Sequence, residues 1–124
     1  MKKDITTRED IVLLLGSFYD KVKKDPVIGH IFIKVIRANW QKHLLLMTDF
    51  WDNILFYSGS YAGNPMEVHR RLNKLFTLNQ EHFKRWVSLF TATVDELFQG
   101  EKALLAKQRA FSISTVMEIK ILPQ

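Results

Sequence analysis

Two histidines, a tyrosine and a tryptophan carry most of the chemistry that this chain can offer. His69 closes the stretch Gly59-Ser60-Tyr61-Ala62-Gly63-Asn64-Pro65-Met66-Glu67-Val68-His69. Asn followed by Pro is a helix-start signal, a side-chain cap and then a residue that needs no N–H. His69 therefore falls just past the first turn of a helix whose Met66, Leu72 and Phe76 share one side. His43, Tyr19 and Trp86 also sit on apolar helical faces, beside Met47, Phe18 and Phe90 respectively. Neutral imidazole is a common axial donor to haem iron, and the four side chains read together as the polar contacts of a haem pocket.

Each residue has a second reading. His69 alone could be a partly buried histidine bonded to a carbonyl. His43 has Trp40 three residues before it and Met47 four after. In a haem pocket it would donate to a bound diatomic molecule or swing aside to admit it; otherwise it is a surface histidine beside Lys42. The Tyr19 phenol, set among Ile11, Leu15, Phe18 and Val22, needs a partner: an iron-bound oxygen or a backbone group. Trp86 offers an indole N–H, a donor only, or else it is a large core aromatic. His30 reads as surface, and His82 as partly exposed in a helical first turn. Asp49 and Asp52 read as a solvated face rather than an acid/base pair. The chain has no His-Glu-x-x-His pair, phosphate-binding glycine loop, Gly-x-Ser-x-Gly elbow or Glu-x-x-His.

The elements that must position these residues are helical. Ile11, Leu15, Phe18, Tyr19 and Val22 form one stripe, with Thr6-x-x-Glu9 or Thr7-x-x-Asp10 as the capping box before it. Asp25-Pro26 reads as cap and first turn of a short helix through Ile31-Phe32. Trp40, His43, Met47, Phe50 and Ile54 line a helix over roughly 37–57. Phe83, Trp86, Phe90, Val94 and Leu97 line another from Asn79, stopped by Gly100. The last, about 101–120, carries Leu105, Ala106, Ala110, Ile113 and Met117. Strand signals are nearly missing. The expectation is one all-α domain over residues 1–124, with only residues 1–5 and 121–124 loosely held.

Composition narrows the function. With 47% hydrophobic residues the chain is no disordered segment, and with no Cys it has no disulfide or thiolate metal site. Its net charge of +5 is scattered, so a solvated basic surface is expected rather than a nucleic-acid or membrane partner. Charges where a leader's apolar stretch would stand, and apolar runs too short for a bilayer, point to a cytoplasmic protein.

The ordered set of segments resembles the group III truncated haemoglobins. The carrying pieces are Phe18-Tyr19-Asp20-Lys21-Val22, Asp25-Pro26-x-x-Gly29-x-Ile31-Phe32 and Trp40-x-x-His43 leading to Asp49-Phe50-Trp51. They continue through Gly59-x-Tyr61-x-Gly63-Asn64-Pro65-Met66-x-x-His69, Glu81-His82-Phe83-x-Arg85-Trp86-x-x-Leu89-Phe90 and Arg109-Ala110. The resemblance implies a truncated globin, two helices packed over two around haem b (iron protoporphyrin IX). It implies His69 as the proximal iron ligand and Tyr19, His43 and Trp86 on the distal side. Phe32, Met47, Phe50, Trp51, Leu72 and Phe83 would touch the porphyrin, and Arg70, Arg71 or Lys42 would meet its propionates. The paired glycines of group I and II relatives are missing, which suits group III. The flexible, oxidisable Met47 beside His43 bears on ligand access.

The implied function is binding of oxygen, nitric oxide and carbon monoxide, with nitric-oxide dioxygenation or peroxide-linked redox chemistry fed by an electron-donating reductase. Two competitors stand beside it. One is a haem-based sensor or store without turnover. The other is a haem-free helical interaction module, in which all four polar residues are structural.

Overall fold

The computed structural model describes residues 2–36, 39–57 and 78–121. The expected His69 helix, with Met66, Leu72 and Phe76, and the Gly59/Gly63 loop lie outside them, as does the C-terminal end from 122. Five helices are described: α1 (Arg8–Lys24), α2 (Gly29–Ile36), α3 (Trp40–Phe56), α4 (Gln80–Leu97) and α5 (Glu101–Ile121). Among the described residues there is no strand. The pair α1 and α3 packs on the pair α4 and α5, through α1 against α4 and α3 against α5, while α2 leans on α1.

Helix starts follow local chemistry. Of the two capping boxes offered to α1, the structure uses Thr7 with Asp10. Asp10 also accepts from the Thr6 N–H at 2.9 Å and from Lys3 Nζ at 2.7 Å, so Thr6 serves the box without being its cap. Acidic residues fill the first turn and Lys21, Lys23 and Lys24 the last, as the helix dipole favours. Asp25 is a corner rather than the cap of α2. Its carboxylate accepts from the N–H groups of Val27 and Ile28, both at 3.0 Å, and α2 begins only at Gly29. A Cβ at Gly29 would lie 2.8 Å from the Val22 carbonyl oxygen, so only glycine lets α2 leave α1 at this angle.

Burial corrects one stripe. The fully buried line of α3 is Thr48, Trp51 and Leu55, one residue around from the expected Trp40–His43–Met47–Phe50–Ile54 line, which is only half-buried. Trp51 stacks on Phe90 of α4 with centroids 4.7 Å apart, joining the helix pairs at the centre of the core. Burying each such ring contributes on the order of 2–3 kcal/mol. Ala103, Ala106 and Ala110 form a small-residue strip through which α5 closes on that core. Asp49 and Asp52 are not a solvated face: Arg8 bridges both, which staples the start of α1 to the middle of α3.

Residues 2–5 are not loose. Ile5 is fully buried, and the Lys3 carbonyl accepts from the Gln99 N–H at 2.9 Å. Asp4 caps a helix almost a chain length away, accepting from the Lys102 and Ala103 N–H groups at 2.9 Å each. Burial pushes the Asp4 carboxyl up, and these two donors with the Ile5 N–H outweigh it, holding it below the usual carboxylate range. Gly100 does not end α4, which stops at Leu97. It precedes α5 with φ of +144°, and a Cβ there would come 2.5 Å from Asp4 Cγ. Asp4→Ala should therefore cost about 1–2 kcal/mol of unfolding free energy, as loss of a helix cap does. Urea titration measures it, and an unchanged midpoint contradicts the capping role.

Candidate functional site

One cavity, between α3 on one side and α4 and α5 on the other, gathers most of the chemistry-bearing residues. Tyr19 of α1, Phe32 of α2, His43, Met47, Phe50 and Trp51 of α3, and Phe83 and Trp86 of α4 all line it. His69 and Leu72 lie outside the described residues. The wall is hydrocarbon except at a few points, and the aromatic rings brace one another: Trp86 stacks on Phe90 at 5.7 Å and meets Phe18 edge-on at 5.9 Å.

Tyr19 finds its partner neither in backbone nor in solvent. Its hydroxyl lies 3.0 Å from His43 Nε2, and the two rings meet edge-to-face with centroids 5.0 Å apart. Burial pushes the phenol far up, so it keeps its proton throughout the neutral range. One hydroxyl donates one hydrogen. With the imidazole proton on Nδ1, Tyr19 donates to Nε2. With the proton on Nε2, His43 donates to the Tyr19 oxygen and the phenolic hydrogen is directed elsewhere. His43 is thus half-buried and paired rather than a surface residue beside the exposed Lys42.

Sequence reasoning missed part of the wall. Ile31 reaches the cavity from α2, and Ile113, Ser114 and Met117 reach it because α5 crosses it as well as packing on α4. Ile113 and Met117 did show in the apolar spacing of that helix, but spacing alone does not say which apolar positions face a cavity. His82 is the larger omission. It is half-buried and lines the cavity, while its Nδ1 accepts the Asn79 N–H at 3.1 Å in a reciprocal capping box. Neutral His82 therefore carries its proton on Nε2.

Protonating His82 would set two donors face to face. Burial lowers its pKa from 6.5, the His30 imidazole on α2 lowers it further, and neighbouring Glu81 opposes both. A base weakened by folding stabilises the fold above its unfolded pKa, and that contribution fades as pH falls through the folded value. Stability should therefore drop from pH 7.5 to pH 5. His82→Gln, which keeps a side-chain acceptor but cannot titrate, should lose that share of the drop. Denaturant midpoints at the two pH values measure it; equal slopes for both proteins remove His82 as the cause.

Known proteins match this arrangement. Group 3 truncated hemoglobin ctb of Campylobacter jejuni is 31% identical over 118 residues, covering 93% of this chain and 91% of that protein. The crystal structure of the group III truncated hemoglobin from C. jejuni matches with a TM-score of 0.87 at 30% identity, over 98% of this chain and 95% of that one. The chain belongs to the group III truncated haemoglobins. No protein-family profile matches it.

A truncated haemoglobin is an all-helical, haem-binding globin, and the residues here fit the group. A porphyrin needs a flat, water-poor slot, and this cavity is walled by rings and aliphatic chains. Among the described residues no group of three or more His, Asp or Glu could hold a bare ion. No helix among the described residues is long and apolar enough to cross a membrane.

Proposed function

We propose that this truncated haemoglobin holds haem b through His69 and binds oxygen and related diatomic gases, with conversion of nitric oxide and dioxygen to nitrate as its reaction. Bound haem would supply an iron atom that takes up a gas molecule and exchanges single electrons. The chain supplies the rest. The observation that carries the reading is the Tyr19–His43 pair, 3.0 Å apart in an otherwise hydrocarbon wall.

His69 as axial donor is supported by what the other cavity imidazoles are doing. The Nδ1 lone pair of His82 is taken by the Asn79 N–H, and His43 Nε2 is committed to Tyr19. Tyr19 would meet the bound gas with a proton that it does not lose at neutral pH. When His43 Nε2–H donates to the phenolic oxygen, it polarises that O–H towards a ligand atom bearing partial negative charge. A fixed dipole in a dry site stabilises such charge at little reorganisation cost. The Trp86 indole N–H gives a second donor direction, and His43 also governs access. Phe32, Met47, Phe50, Trp51, Leu72 and Phe83 would pack the porphyrin and keep water out.

Nitrate formation joins one nitric oxide, one dioxygen and one electron, so a reductase partner must supply that electron. Mixing nitric oxide with the oxygenated protein in a stopped-flow cell tests the reaction. Decay faster than background with nitrate as product is expected. Background decay without nitrate overturns turnover and leaves a gas store or sensor.

A further inference from the structure

His43 is held from outside as well as from inside. Trp40, one turn before it on α3, meets the His43 ring edge-on with centroids 6.4 Å apart and the Tyr19 ring at 5.9 Å. Trp40 is half-buried and does not line the cavity, so it stands on the solvent side of the Tyr19–His43 pair. Lys23, exposed in the last turn of α1, lays its ammonium over the Trp40 ring 4.3 Å from the centroid. A cation over an indole face at that distance is attracted by the ring quadrupole. The Trp40 indole thus touches both rings of the pair and carries the exposed Lys23 ammonium, which ties α3 to α1 beside the cavity.

We infer that Lys23 and Trp40 form a latch that keeps His43 in its Tyr19-bonded position and so sets how fast a gas molecule reaches the cavity. This rests on the reading of His43 as the residue that governs access. To turn outward, the imidazole must displace Trp40, and Trp40 must leave Lys23. Both are positioning residues, since neither touches the ligand. An exposed cation–π contact shifts a two-state equilibrium by about threefold. Lys23 lies on the surface, so its variants are expected to fold.

The test is carbon monoxide rebinding after flash photolysis of the haem-loaded protein, together with the infrared C–O stretch, whose bands report closed and open His43. Lys23→Met, which keeps the length and loses the charge, should associate about threefold faster and shift intensity to the open band. Lys23→Arg, which keeps the cation, should retain the wild-type rate and bands. Trp40→Leu should exceed Lys23→Met in both readouts. If Lys23→Met matches wild type while His43→Leu is faster, the latch is overturned and the gating role of His43 stands. If His43→Leu is not faster, the gating reading fails and the latch with it.

Discussion

Replacing His69 by glycine should strip the protein of stably bound haem. On the proposed reading the His69 imidazole would be the one covalent-strength link between chain and cofactor, with the hydrocarbon wall supplying only packing. Loss of a group that merely orients a metal ligand costs roughly 10- to 100-fold in affinity, and loss of the ligand itself should exceed that. Purified His69→Gly should show little Soret absorption, and haem titrated in should pass readily to apomyoglobin. Free imidazole should restore a histidine-like spectrum by filling the gap. His82→Gln is the control, because the Asn79 N–H already occupies the His82 Nδ1. It should hold haem as tightly as wild type. A His69→Gly protein with unaltered spectrum and retention would place the axial donor elsewhere.

Tyr19→Phe should have the second largest effect, on ligand lifetime. The change removes one oxygen atom from a buried position, and with it the proton proposed to meet the bound gas. A hydrogen bond to a charged partner contributes about 1.5–3 kcal/mol, so oxygen should dissociate roughly 10- to 150-fold faster. Carbon monoxide, which carries less negative charge, should be affected far less. His43→Leu and the double variant complete a cycle. If the imidazole acts by polarising the phenol, the two single effects will not add. Additive effects would mean two independent donors. An oxygen off-rate unchanged in Tyr19→Phe would remove the phenol from the site. Burial keeps the phenol protonated, so the Tyr19 effect should be flat across neutral pH.

Much of this site was legible from spacing because helical periodicity places residues without any knowledge of tertiary contacts. Tyr19 follows from the α1 stripe, His43 from its place between Trp40 and Met47, and Trp86 from its place between Phe83 and Phe90. What periodicity cannot give is which of two adjacent stripes faces the core. On α3 the half-buried line of His43, Met47 and Phe50 meets the cavity, while the buried line of Thr48, Trp51 and Leu55 one residue on fills the interior and reaches the cavity only at Trp51. Both are apolar, so composition does not separate them. His82 is partly exposed, as its place in a helical first turn suggests; what that place does not reveal is that its ring caps α4 and reaches the cavity.

The remaining misses are contacts between residues far apart in the chain. Asp49 and Asp52 look solvated until Arg8 is brought across from α1. Asp25 looks like an ordinary helix cap, yet its nearly inaccessible carboxylate also receives Arg85 Nε at 2.7 Å. That pair ties the α1–α2 corner, which carries Ile28 to the cavity, to the turn of α4 that carries Trp86. Gly100 is the plainest case. Its position after an apolar run mimics a helix stop, and only the closeness of Asp4 shows what excludes a side chain there.

The bond from Lys102 to Asp4 spans 98 residues. On a ribosome adding about 5–20 residues per second, the opening segment waits roughly 5–20 s after synthesis for its mate to emerge. During that interval Asp4 has no α5 to cap. The seam between Asp4 and α5 is sealed only after both segments have left the ribosome, so it forms late in the assembly of the nascent polypeptide.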